Sequence, residues 1–119
     1  YICALSGMTC ITRSTFSEIL DTPETLALTE RLMHEVEDVA RAKGVALNSE
    51  VVDTILSDFQ THKHNLVSSM YTDLKNGLPL EVQVLNGAVS RMGKAVKVPT
   101  PINDFIASCL KLIGNKIQT

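Results

Sequence analysis

Tryptophan is absent from this 119-residue chain, and aromatic residues make up only 4% of it. That removes the ring platforms on which proteins stack single-stranded bases. An excess of basic charge is missing too. The formal net charge is −2, so no positive field draws in a phosphate backbone, and a nucleic-acid partner is not expected. No apolar run approaches the ~20 residues that span a bilayer, so no membrane partner is expected either. The cysteines, Cys3, Cys10 and Cys109, form no Cys-x-x-Cys pair. Their odd number and spacing suggest reduced intracellular thiols serving as small apolar fillers, hence a cytoplasmic protein. A dinucleotide fingerprint of clustered glycines is absent, as are internal repeats and low-complexity segments.

What is present reads as helix after helix. A hydrophobic fraction of 45% against 20% charged is that of one globular domain with a core. Ile2 to Ile11 are almost wholly apolar or small, which suits a helix buried on most sides. A chain opening on Tyr1-Ile2-Cys3-Ala4-Leu5 carries the expectation of further sequence upstream. Ser14 or Thr15 is placed to cap a short helix through Leu20. Thr22-Pro23 starts a long one, with Leu28, Leu32, Val36 and Val39 on one stripe and Gly44 as its stop. Glu30, Glu35, Glu37 and Asp38 fall mostly off that stripe and read as a solvated face. Asn48 caps a helix carrying Val52, Ile55, Leu56 and Phe59. A further helix runs over 66–75 and ends at Asn76-Gly77. Leu85, Ala88, Val89 and Met92 line one face of the next. Thr100-Pro101 opens the last, with Ile102, Phe105, Ile106, Cys109, Leu110 and Ile113 as a wide apolar stripe. No stretch alternates long enough for a strand. The expected fold is all-α, one domain over residues 1–119.

Two places could carry chemistry. Ser68-Ser69-Met70 follows a polar stretch, and Glu81 stands twelve residues beyond Ser69 across a Gly-Leu-Pro break. The break lets the chain fold back so that both could meet at one cleft. Spacing alone equally allows Ser69 as a cap and Glu81 as a first-turn acid. His62 and His64 make a His-x-His pair, but no further ligand stands nearby in a metal-binding pattern, so no metal site is expected.

The run Ser68-Ser69-Met70-Tyr71-Thr72-Asp73, then Leu80-Glu81-Val82, Leu85-Asn86-Gly87 and Val98-Pro99-Thr100-Pro101-Ile102-Asn103 resembles the signature of the ketopantoate reductase C-terminal domain. Upstream, Glu35 and Val39-Ala40-Arg41-Ala42-Lys43-Gly44 are similar to another segment of that family, so the resemblance covers nearly the whole chain in order. It implies a helical domain similar to the C-terminal domain of 6-phosphogluconate dehydrogenase. In that family a Rossmann domain precedes it, and the cleft between the two reduces 2-dehydropantoate to pantoate with NADPH, for pantothenate and coenzyme A synthesis. The resemblance implies substrate contacts at Ser69, Ser6 and Asn65 and cofactor contact at Glu81, with Asn86 and Asn103 as weaker candidates. It places the family's catalytic Lys before Tyr1, so no catalytic residue is expected within the chain. Family asparagines fall at Ile2, at Ser6 and near Phe16, and the family's Asp is replaced by Gln83. A site that lost amides need not keep the same substrate. The implied partners are the Rossmann domain, a small 2-oxo acid and, in some settings, a second copy of the chain. Competing readings are a reductase of another 2-oxo acid, a relative that has lost the chemistry, and a non-catalytic helical dimerisation module.

Overall fold

The structure is a computed structural model that describes residues 1–62, 69–78, 80 and 85–118 (for 62, 69, 70, 117 and 118 the backbone alone). The described residues form seven helices and no strand: α1 (Ile2–Thr12), α2 (Phe16–Asp21), α3 (Pro23–Ala42), α4 (Val51–His62), α5 (Ser69–Lys75), α6 (Asn86–Val96) and α7 (Pro101–Gln118). The all-α expectation holds.

Helix α1 is the hub and packs against α2, α3, α5 and α7. Its small and apolar residues allow this: Ala4, Ser6, Gly7, Met8, Thr9 and Cys10 are all buried. The hydroxyls that burial would strand turn back on the helix. Thr9 donates to the Leu5 carbonyl at 2.6 Å and Thr12 to the Met8 carbonyl at 2.7 Å. Arg13, in the left-handed region at φ 54°, ends the helix.

A capping box then launches α2. Glu18 N–H donates to Thr15 Oγ1, and the Glu18 carboxylate accepts from the Thr15 N–H at 2.9 Å. The Thr15 N–H, and then the Thr15 hydroxyl, which donates to Glu18 Oε1 at 3.0 Å, hold the Glu18 carboxyl below its ordinary range. Thr22-Pro23 opens α3, and Gly44, at φ +88°, follows its last turn where a side chain would be strained. Asn48 Oδ1 accepts from the Glu50 N–H at 2.8 Å just before α4. The core gathers Leu32, Phe16, Ile19, Val52, Leu56, Ile106 and Leu110 from four helices.

Several expectations about faces fail, among them Leu28 on the α3 stripe, which is 40% exposed, and Glu37, whose side chain is only 10% exposed. Glu35 is not solvated; it is 8% exposed and inside the protein. Met92 does not line the buried face of α6, being 44% exposed. Phe105, part of the apolar stripe of α7, is 62% exposed. In α6 the buried residues are Asn86, Gly87, Val89 and Gly93, so this helix approaches its neighbours largely through small residues. A Cβ on Gly93 would stand 2.8 Å from both the Val98 carbonyl oxygen and Thr100 Cγ2. Alanine favours a helix interior over glycine by ~1 kcal/mol, yet the carbonyl it would meet is backbone and cannot swing away. Gly93→Ala is therefore expected to destabilise by ~1–3 kcal/mol, measured by urea unfolding; a gain in stability would show that the α6–α7 turn yields freely.

Candidate active-site junction at α1, α5 and α6

The start of α6 is tied to α1 and α7 by a buried polar network. Asn86 and Asn103 are both fully buried. Asn86 Nδ2 donates to Asn103 Oδ1 at 2.9 Å and to the Cys3 carbonyl at 3.3 Å. Asn103 Nδ2 donates to Glu35 Oε1 at 2.9 Å and to the Leu32 carbonyl at 3.4 Å. Those two acceptors fix which end of the Asn103 amide is nitrogen, and so fix Asn86 as well. Glu35 reaches across from α3 to cap α7, accepting from the Ile102 N–H at 2.9 Å and the Asn103 N–H at 3.0 Å. Thr100 does not cap these donors, because its hydroxyl turns to Asp104 Oδ1, which also accepts from Ser90. A carboxylate at a helix N-terminus meets both free N–H groups and the positive end of the helix dipole.

Asn86 Oδ1 is buried and has no hydrogen-bond partner among the described residues. It faces Gly7, where a Cβ would lie 3.0 Å from that oxygen and 3.0 Å from Ile106 Cγ2. The missing side chain at Gly7 lets α1 and α6 meet at this point.

Of Ser6, Ser69, Asn65 and Glu81, only the Ser6 side chain and the Ser69 backbone lie among the described residues. Ser6 is buried, 4% exposed, on α1, and α1 packs against α5, whose first residue is Ser69. The two helices that carry the serines of interest therefore pack against each other, and α1 also meets the start of α6 through the Cys3 carbonyl. Asn65 and Glu81 lie outside the described residues, as do His64 and the side chains of Ser69 and His62. Asn103 does not cap α7 with its side chain; it holds Asn86 and Glu35 together. Ile2 is 51% exposed at the head of α1, whereas Phe16 is 1% exposed in the core. An amide at position 16 would face an aromatic ring in the core.

Sequence reasoning missed the depth of Glu35, since its spacing on α3 is that of a solvated acid. The signal available was its place in a family segment, together with the Asn-Gly and Pro-Ile-Asn motifs whose residues it touches.

Next to the Cys3 end of α1 lies a cleft of 470 Å³, bordered by Tyr1, Ile2, Leu32, Val36, Val51 and Ile55. Its walls are apolar, which suits packing against hydrocarbon better than holding a polar acid. Burial pushes the Cys3 thiol above its ordinary value, so it stays protonated and is a poor nucleophile. No strand–turn–helix unit with a glycine-rich turn occurs among the described residues, and the six glycines stand apart in sequence. The cradle that holds a dinucleotide pyrophosphate is not built by these elements. No described helix is long and apolar enough to cross a membrane.

Comparison with known proteins agrees with this architecture. Residues 1–114 match the family described as Ketopantoate reductase PanE/ApbA C terminal. The 2-dehydropantoate 2-reductase of Mycobacterium tuberculosis is 33% identical over 84 residues, 71% of this chain and 28% of that protein. That of Mesorhizobium japonicum is 29% identical over 111 residues, 93% of this chain and 33% of that protein. Among solved structures, a PanE/ApbA family ketopantoate reductase from Ralstonia eutropha superposes with a TM-score of 0.87 at 29% identity, covering 98% of this chain and 39% of that one. D-mandelate dehydrogenase with NADH and anilino(oxo)acetate shares the fold, with a TM-score of 0.84 at 23% identity, over 99% of this chain and 51% of that one. The chain thus spans roughly a third of the curated relatives it matches. The family match over residues 1–114 leads to one conclusion: this chain belongs to the ketopantoate reductase C-terminal domain family.

Proposed function

We propose that this chain is the substrate-side domain of an NADPH-dependent reductase that converts 2-dehydropantoate to pantoate. It works with a Rossmann domain, its intramolecular partner, which holds most of the cofactor. The observation that carries this reading is the family match over residues 1–114, supported by the packing of the Ser6 helix against the helix that begins at Ser69. NADPH supplies the hydride when bound. The chain's own part is to bind and orient the acid: the Ser69 and Ser6 hydroxyls and the Asn65 amide donate to substrate oxygens, and Glu81 accepts from a hydroxyl of cofactor or substrate. By the family resemblance, proton delivery falls to a Lys whose position aligns before Tyr1.

A second substrate is favoured by one observation. Ser6 stands where the family carries an amide, and a shorter hydroxyl reaches a different set of substrate oxygens. Reduction of another 2-oxo acid is the alternative within the same chemistry. A homodimer is compatible with the exposed Leu28 and Phe105, which border an apolar hollow of 270 Å³. The ketopantoate reductase of Staphylococcus aureus is described as dimeric. A purely structural dimerisation module would use that same face without any turnover.

In the full enzyme, Ser69→Ala is expected to raise KM about tenfold, the loss of one hydrogen bond of ~1.4 kcal/mol. Glu81→Gln is expected to lower kcat/KM about a hundredfold, since a positioning charge is lost while size is kept. Steady-state NADPH oxidation checks both, with circular dichroism to show that each variant folds. Unchanged kinetics in both variants would contradict the assignment. The 119 residues alone should oxidise no NADPH with ketopantoate.

A further inference from the structure

On the outer face of α3, Glu30 and His34 stand one helical turn apart, and Asp53 in the first turn of α4 comes over them. One ligand atom from each of the three lies within 4.8 Å of the other two. His34 Nε2 is 3.8 Å from Glu30 Oε1. The other ring nitrogen is already engaged: His34 Nδ1 is 3.0 Å from Glu37 Oε1. A carboxylate cannot donate, so Nδ1 carries a proton, and Nε2 faces the side where Glu30 and Asp53 converge; in the neutral ring that nitrogen offers its lone pair there.

Glu37 lies outside the trio and is itself fixed. Its side chain is only 10% exposed, and Arg41 binds Glu37 Oε2 at 2.7 Å through one guanidinium nitrogen and at 3.3 Å through another. Arg41 also donates to the Leu47 carbonyl at 3.0 Å and the Asn48 carbonyl at 2.9 Å, bracing the turn that brings α4 and Asp53 into place. The Arg41 guanidinium, and then His34, hold the Glu37 carboxyl below its ordinary range. An imidazole that donates one N–H to an anchored carboxylate and offers its other nitrogen is the arrangement found behind metal-ligating histidines.

The charges point the same way. Asp53 makes no hydrogen bond or ion pair among the described residues, and Glu30 has only the long contact to His34. Two carboxylates therefore face one imidazole nitrogen.

We propose that Glu30, His34 and Asp53 form a binding site for a divalent transition-metal ion of the zinc class. One nitrogen and two oxygens are ligands such an ion accepts at ~2.0–2.2 Å, with the remaining position left to water. Small rotations of exposed side chains bring the three atoms from their present spacing to that distance. Bound metal joins α3 to α4 beside the apolar cleft and stiffens the connection that Arg41 already braces. The site shares no residue with Ser6, Ser69, Asn65 or Glu81, so the proposal is separate from the proposed reductase chemistry.

The test is calorimetric titration of the protein with ZnCl2, in a His62→Gln, His64→Gln background so that the His-x-His pair adds nothing, with thermal unfolding measured alongside. The expected result is one saturable ion per chain and a melting temperature that rises with zinc. His34→Ala and Asp53→Asn should each weaken binding at least tenfold, and Glu37→Gln about tenfold through loss of the ring's anchor. His34 and Asp53 are exposed, so these variants keep the fold, and unfolding without metal verifies it. No saturable binding, or binding equal in His34→Ala and the parent, would show a surface ion-pair cluster only and overturn the proposal.

Discussion

Glu35→Ala is expected to lower unfolding free energy by ~4 kcal/mol. The Glu35 carboxylate accepts from the backbone N–H groups of Ile102 and Asn103 and from Asn103 Nδ2. Hydrogen bonds to charged groups contribute ~1.5–3 kcal/mol each, and buried donors left without partners cost ~1–3 kcal/mol. The three bonds share one carboxylate, so their losses do not simply add. The damage also spreads, because Asn103 loses the acceptor that orients it toward Asn86. Helix α7 would enter the core with two bare donors at its N-terminus. Glu35→Gln should cost about half as much, since its amide oxygen still serves the two bonds now made by Oε1, while its NH2 opposes the Ile102 N–H. Urea unfolding followed by circular dichroism measures both. Losses below ~1 kcal/mol for the alanine variant would mean that water reaches the α7 terminus and replaces the cap.

Phe16→Ala should cost ~3–5 kcal/mol, the range for removing a buried aromatic ring. Phe16 is 1% exposed and meets Phe59 edge-on, with ring centroids 5.1 Å apart. Phe59 in turn touches Tyr1 at 5.6 Å. That chain of rings pins α2 to α4 and to the head of α1 in a protein with few aromatics. Phe16→Asn should be worse than Phe16→Ala, because it leaves the same cavity and adds an amide with no partner nearby. Equal or better stability of the Asn variant would mean that position 16 opens on a polar site. Thermal melting of the two variants side by side decides between these outcomes.

Helix punctuation was legible because single residues cause it. Proline at 23 and 101 fits only a first turn, and glycine at 44 tolerates the positive φ that ends α3. The buried faces were less legible, and the reasons differ. On α6 an apolar count selects Met92, but the face that packs is chosen by how closely backbones approach, which glycine at 87 and 93 decides. On α3 the periodicity assigns Glu35 outward, but its register is overruled by the donors of a helix 67 residues away. Such long-range pairing leaves no local trace. The same holds for His34 and Asp53, whose approach depends on the Arg41-braced turn between α3 and α4. The junction of Ser6 with the helix of Ser69 was legible only through family motifs, since neither serine has a distinctive spacing.

The most direct test of the reductase assignment is NADPH oxidation by the full enzyme, with ketopantoate assayed beside a panel of other 2-oxo acids. The account predicts turnover with ketopantoate. Turnover confined to another acid would retain the reductase chemistry and transfer the substrate assignment, with Ser6 as the first residue to exchange for Asn. No NADPH oxidation with any 2-oxo acid would contradict the account and leave the helical domain as a scaffold without the chemistry of its family.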